Sequence, residues 1–310
     1  MAADPIRKPT VMDVSLLVGL AAIWGSAFMG MKLSVPETGP VWLVALRASI
    51  GFLALLPWAL WRGWVWPSGA RDWMIVAGLT TLNVVLPFLL LSWATQYLPS
   101  STAALLMGAG PLLGLVVAHI SSTDDRMNIW KFVAVGLGFA GISLVLGAAA
   151  FAGLRSALLP QAACVLASAC YVTSGILVRN APAIPPTRLS ALVLGVAAVI
   201  VTPTALITQG ALPPLSADAW MAALYLGLVP TGVAYILRYY LVRKVGLSFF
   251  SHVGNMIPLF GVFFGVVLLG ERLTPSVAAA ALLIIAGLFV ARAGSRANKQ
   301  PVSAAAPRTG

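Results

Sequence analysis

The chain has 310 residues, 60% of them hydrophobic and 9% charged, with a mean hydropathy of +0.97. Soluble domains are roughly 45–50% apolar and about 25% charged, so a water-soluble fold is excluded. The net charge of +11 falls mostly in short gaps between apolar runs. A nucleic-acid binder would gather it on a wetted face, so nucleic acid is set aside as a partner.

The apolar runs are long and do not alternate, which suits helices of about 20 residues and not barrel strands of about 10. The pattern predicts an all-α membrane protein with ten spans, near 13–33, 41–61, 72–93, 100–120, 129–148, 157–178, 188–208, 218–240, 247–269 and 275–293. Residues 1–12 precede the first span. That span ends in Lys32 and not in a small-residue cleavage site, so it is read as retained. Gly63, Pro67 and Gly69 break the second gap, Pro182, Pro185 and Pro186 the sixth, and Gly210, Pro213 and Pro214 the seventh. No gap has room for a soluble domain. Cys164 and Cys170 fall on different helix faces, as small core residues and not a disulfide or metal pair. Residues 294–310, rich in Ala, Ser, Lys, Arg and Pro, read as a disordered tail.

Cytoplasmic segments hold an excess of Lys and Arg. With the N-terminus inside, Arg7, Lys8, Arg62, Arg71, Arg126, Lys131, Arg179, Arg188, Arg243, Lys244, Arg292 and Arg296 are inner, whereas Lys32, Arg155 and Arg272 are outer. Both termini are therefore expected in the cytoplasm of a bacterial-type inner membrane.

The chain also repeats itself. Trp24 aligns with Tyr171, Lys32 with Arg179, Pro57 with Pro203, Gly78 with Gly227, Pro111 with Pro258, Asp125 with Glu271 and Gly141 with Gly287, at separations of 146 to 149 residues. Residues 13–148 and 157–293 thus form two copies joined by an outer linker, 149–156. Five spans is an odd number, so the second copy enters the membrane from the opposite side. Such inverted repeats place a solute site near the midplane and alternate access by rocking.

Interrupted helices are one pointer to that site, because they expose backbone groups. Met107-Gly108-Ala109-Gly110-Pro111 and Gly254-Asn255-Met256-Ile257-Pro258 stand at matching places. Met107, Pro111, Asn255, Met256 and Pro258 are substrate-binding candidates, with ordinary packing of Gly and Pro as the competing explanation. Asn83 joins Asn255 as a deeply placed polar residue. Ser26, Thr81, Ser168 and Thr231 are weaker, since Ser and Thr often bond their own helix.

His252 could serve as a gate, a proton carrier or a satisfied structural group. Arg47 is the deepest charge, and Val193 aligns with it. It could bind a substrate carboxylate or snorkel to cap helix carbonyls, and with His252 it is a candidate for gating or proton coupling. Trp24, Phe88, Trp93, Tyr171 and Tyr235 are candidate walls for an amphipathic solute. Trp42, Trp58, Trp61, Trp64, Trp66, Trp73 and Trp130 lie near span ends and read as an interfacial belt.

All eight acids, Asp4, Asp13, Glu37, Asp72, Asp124, Asp125, Asp218 and Glu271, fall in connections or at helix ends. This disfavours a carboxylate proton relay and a buried Glu for organic cations. Sugar phosphates would need several basic groups. A zwitterion with an apolar side chain fits best. No phosphate loop, HExxH or GxSxG element is present, and no cofactor is implied; an intramembrane enzyme and a channel are the disfavoured alternatives.

Trp24-Gly25-Ser26-Ala27-Phe28 resembles the first-helix signature of the EamA group within the drug/metabolite transporter superfamily. Arg47, Tyr97-Leu98-Pro99-Ser100, Ala103-Ala104-Leu105-Leu106 and Pro111-Leu112 look like its second- and fourth-helix motifs. Tyr225-Leu226-Gly227, Ala234-Tyr235, Gly270-Glu271-Arg272-Leu273 and Gly287 look like the second repeat. Ala27, where Asn is frequent, and Asp125, where Glu is usual, depart from the pattern. The resemblance implies a ten-helix fold and export of metabolites, and at this length it is nearest to the YddG-like exporters of aromatic and other neutral amino acids. The expectation is a monomeric alternating-access exporter that is not an enzyme.

Overall fold

The computed structural model describes residues 7–110, 112–114, 129–151, 155–179, 182, 184–250 and 252–297, and no strand occurs among them. Helix α1 runs Val11–Trp61. It starts with a capping box: the Thr10 hydroxyl accepts from the Asp13 amide, and the Asp13 carboxylate accepts from the Thr10 amide. At 51 residues α1 would be about 75 Å long if straight, more than twice the hydrocarbon core. It is not straight. Gly39 takes φ 67° and ψ 165° between Pro36 and Pro40, a backbone state open to glycine, and divides α1 into two limbs.

Beyond it come α2 (Ala70–Thr80) and α3 (Leu86–Tyr97), joined by a π-helical segment, Thr81–Val85. Then follow α4 (Ser100–Met107), α5 (Ile129–Phe151), α6 (Arg155–Arg179), α7 (Pro186–Gln209) and α8 (Ala217–Leu226). A second π segment, Gly227–Val233, joins α8 to α9 (Ala234–Val245). The short α10 (Leu247–Phe250), α11 (Val253–Leu269) and α12 (Pro275–Ala297) complete the order.

Among the described residues, five stretches are long and apolar enough to cross a membrane: Val11–Trp61, Ala70–Tyr97, Leu158–Val178, Pro186–Gln209 and Ala217–Arg238. Phe132–Leu144, Val253–Leu269 and Pro275–Gly287 are shorter apolar helices. In lipid, helices associate by close packing and hydrogen bonding, since burial from water gives no drive there. The halves interleave accordingly. From the first half, α1 packs on α7, α8 and α11, α3 on α6, and α5 on α12. Three apolar clusters result among the described residues, one around Met31, Leu43, Leu105 and Ile284, a second around Val44, Leu55, Val76 and Leu194, and a third around Leu17, Leu20 and Leu241. Tyr171 packs against the first two, which puts it on the boundary between them.

The two π segments were not evident from hydropathy. They begin at Thr81 and Gly227, a separation within the spacing of the repeat. Each has a proline, Pro87 just after the first and Pro230 inside the second. Proline lacks an amide hydrogen and crowds the carbonyl four residues back, and the wider turn relieves both. The Leu86 amide accordingly reaches Thr81 O, and the Ala234 amide reaches Val229 O.

Candidate functional site

The second limb of α1 presents Arg47, Ile50, Gly51 and Ala54 at helical spacing to the second π segment. A β-carbon at Gly51 would lie 2.7 Å from Thr231 Cγ2, and one at Gly227 would lie 2.5 Å from Ile50 Cβ. Only glycine at these two positions allows so close an approach. The approach brings Arg47 Nε within 2.9 Å of the Thr231 hydroxyl, to which it donates. Thr231 donates in turn to Leu226 O at 2.8 Å, a carbonyl made available by the π turn.

Arg47 is 7% exposed, and its guanidinium turns inward and does not snorkel. Its carbon stands 3.7 Å from the centroid of the Phe88 ring, a cation–π geometry. Nη1 faces Met31 Sδ at 4.0 Å, and the Ser92 hydroxyl faces the same sulfur at 3.9 Å. The phenols of Tyr171 and Tyr235 lie within electrostatic reach of this cation.

The first π segment contributes Asn83. Its Nδ2 donates to Tyr235 Oη at 3.2 Å, a bond between the two halves. Asn83 Oδ1 accepts from the Ser174 hydroxyl at 3.3 Å, and the single proton of Ser174 is shared with Tyr171 O at 2.8 Å. The second π segment is held from the other side by Trp24, whose Nε1 donates to Pro230 O at 3.0 Å. Trp24 stands edge-on to Phe250 at 6.1 Å, and the Arg238 guanidinium lies 5.6 Å from that ring and 6.0 Å from Tyr235.

The structure therefore brings Trp24, Arg47, Asn83, Phe88, Tyr171 and Tyr235 around one centre, which the first π segment reaches through Asn83 and the second through Thr231 and Pro230. Other candidates lie apart from it. Asn255 and Pro258 line a small apolar cavity of about 80 Å³ with Leu105 and Ile284, between α4, α11 and α12. Trp93 rests on Tyr97 at 5.3 Å, and Met107 packs against the first cluster, its carbonyl accepting from Ser168. Met256 packs with Leu17 and Leu20, and His252 immediately precedes α11 with its ring 6.4 Å from Phe249. Pro111 lies outside the described residues.

Of the interrupted helices, α4 stops at Met107 and turns at Gly108 and Ala109, while Pro258 stays within α11. Thr231, one of the weaker candidates, completes the centre with Met31 and Ser174, which did not stand out in the sequence. Among the described residues, no group of three or more His, Cys, Asp or Glu is placed to hold a metal ion. The arrangement offers the buried Arg47 cation, with Arg238 beyond Tyr235, and neutral hydrogen-bonding groups and aromatic faces.

Comparison with known proteins places these features in a wider group. A family model described as the EamA-like transporter family matches residues 12–147 and 159–293, one match for each half. The chain is 22% identical to "Uncharacterized transporter YoaV" of Bacillus subtilis over 88% of its length and 94% of the relative. It is 23% identical to a Streptantibioticus cattleyicolor protein named "Probable terminal-alkyne amino-acid exporter", over 88% and 91%. A solved crystal structure at 19% identity superposes with a TM-score of 0.64 over 92% of this chain and 98% of that one, which shows a shared fold.

Proposed function

The chain belongs to the EamA-like transporter family, and from that membership we propose that it exports neutral, aromatic amino acids or similar small amphipathic metabolites from the cytoplasm. The reading has ten spans in two inverted halves, the limbs of α1 being the first two, with both termini on the cytoplasmic side of a bacterial-type inner membrane. The two π segments support it best, the first bonded across the halves to Tyr235 through Asn83 and the second to Arg47 through Thr231. π-turns inside helices are frequent at functional sites, and these two stand one in each half, at the repeat interface where transporters of this design hold solute.

Around that meeting point, Trp24, Phe88, Tyr171 and Tyr235 offer flat apolar faces, and Asn83 offers a polar handle. The name of one relative, an amino-acid exporter, points the same way. Rocking of the halves would part the Asn83–Tyr235 and Trp24–Pro230 bonds. Both join first-half to second-half residues.

The test is counterflow into liposomes that contain only this protein, with aromatic and aliphatic amino acids, sugar phosphates and quaternary amines offered separately. Saturable movement of the amino acids is expected. Movement confined to the phosphates or amines would overturn the substrate reading, and movement of none of them would overturn transport of these classes. An imposed pH gradient separates facilitated movement from proton antiport.

A further inference from the structure

We infer that Arg47 is the receptor for a carboxylate on the solute, so that the site takes amino acids and plain monocarboxylates and rejects the matching amines. This deepens the transport reading and rests on it. A guanidinium carries five N–H donors in a fixed fork, no acceptor, and a charge it does not lose in proteins. Arg47 is more than nine-tenths buried. Its Nε is taken by Thr231, while Nη1 meets nothing better than the Met31 sulfur, a weak acceptor.

No described carboxylate is free to answer that charge. Asp13 pairs with Arg7, Glu37 accepts from Ser216, Asp72 accepts from Ser68, and Glu271 accepts from Ser100 and Ser101. Asp218 is exposed in the first turn of α8. The repeat supplies no anion either, since the equivalent residue is Val193. A buried cation without an anion is costly. Phe88 offsets part of that cost, and a bound carboxylate would offset the rest, because the terminal edge of the fork fits two oxygens side by side.

The residue that must yield is Met31, a flexible thioether suited to moving aside. An amino group on the solute would meet only neutral acceptors such as Asn83 Oδ1 and Tyr235 Oη. Removing it should therefore matter less than removing the carboxylate. The size of the solute follows from the aromatic faces and its charge from Arg47.

The experiment measures binding by ligand-induced thermal shift of the detergent-solubilised chain, and transport by counterflow, with four probes. These are phenylalanine, 3-phenylpropanoate, phenylalaninamide and phenethylamine. Phenylalanine and phenylpropanoate should bind within about fivefold of each other, and the amide and amine at least roughly tenfold more weakly, the range expected for a missing bidentate partner. Arg47→Gln, which keeps a donor near Thr231, should erase the preference for the acids, and Arg47→Lys should retain part of it. Equal binding of acid and amine, no binding of either acid, or an acid preference that survives Arg47→Gln would overturn the assignment. Acid binding without transport would leave it standing and overturn the transport reading instead.

Discussion

Two cations on the same helix, Lys32 and Arg47, are held in opposite ways. Lys32 donates to Thr95 O and Leu98 O, both at 2.9 Å, and so caps the end of α3. Just past Pro99, Glu271 accepts from the amides of Ser100 and Ser101 at 2.6 and 2.8 Å and caps the start of α4. A cation at a helix C-terminus and an anion at an N-terminus each complement the helix dipole, and the two stand on either side of one turn. Arg47 has one hydroxyl, one aromatic face and one sulfur. A charge whose bonds are complete belongs to the architecture. A charge left short of partners in a packed interior points to a partner that arrives and leaves.

The widest separation between the two should come from replacing each with methionine. Arg47→Met is expected to weaken carboxylate binding on the order of 10²-fold, the usual cost of deleting one side of a buried charge pair. It should leave the unfolding temperature in detergent unchanged or higher, because an apolar side chain replaces an unanswered charge. Lys32→Met should do the reverse. Losing two charge-assisted caps lowers stability by about 1–3 kcal/mol, while transport per folded molecule stays within about twofold. Thermal unfolding and counterflow on both variants check the pair, and parallel behaviour would erase the distinction.

The same contrast explains what could be read without coordinates. Long apolar runs are visible one residue at a time, so α6, α7 and α12 overlap the expected spans 157–178, 188–208 and 275–293, whereas α4 ends at Met107 inside the expected span 100–120. The break of α1 at Gly39 falls in the gap expected between 13–33 and 41–61. The π segments were not, because one extra residue in a turn leaves hydropathy unchanged, and Pro87 and Pro230 read equally well as ordinary kinks.

For the centre, Trp24, Asn83, Phe88, Tyr171, Tyr235 and Arg47 could be singled out as polar or aromatic groups in apolar surroundings. Which of them meet is a matter of tertiary contact. Asn255 and Pro258 carried the same local signals and lie elsewhere. Thr231 looked like a residue bonded to its own helix, which it is, through Leu226 O. Its second role, as acceptor from Arg47, depends on the close approach that Gly51 and Gly227 permit across the halves.

A smaller effect should come from the neutral bond between the halves. Asn83→Ala and Tyr235→Phe each remove the 3.2 Å contact, worth about 0.5–1.5 kcal/mol, so apparent affinity should fall about 2- to 10-fold. The double variant should lose little more than either single one. Full additivity in a double-mutant cycle of counterflow affinity would show that the two side chains act separately.

The smallest effect tests the architectural side. Burial alone would raise the Glu271 carboxyl, but hydrogen bonds from Ser101 and Ser100 outweigh it and hold the group below its ordinary value of 4.5. In the folded state the carboxylate therefore binds its proton less readily than in the unfolded one. Its contribution is present above the ordinary value and is lost as pH falls through the lower, folded one. Unfolding of the wild type between about pH 7 and pH 4 should show this loss at the acid end, by roughly 1 kcal/mol or less once solvent screening is allowed for. Glu271→Gln should start less stable at neutral pH and lose less on acidification, so the two curves converge. Lys32→Met should keep the acid-sensitive part, since its own bonds are to carbonyls that do not titrate. A Glu271→Gln curve parallel to the wild type would remove Glu271 from the clasp and leave Lys32 as the charge that holds the turn.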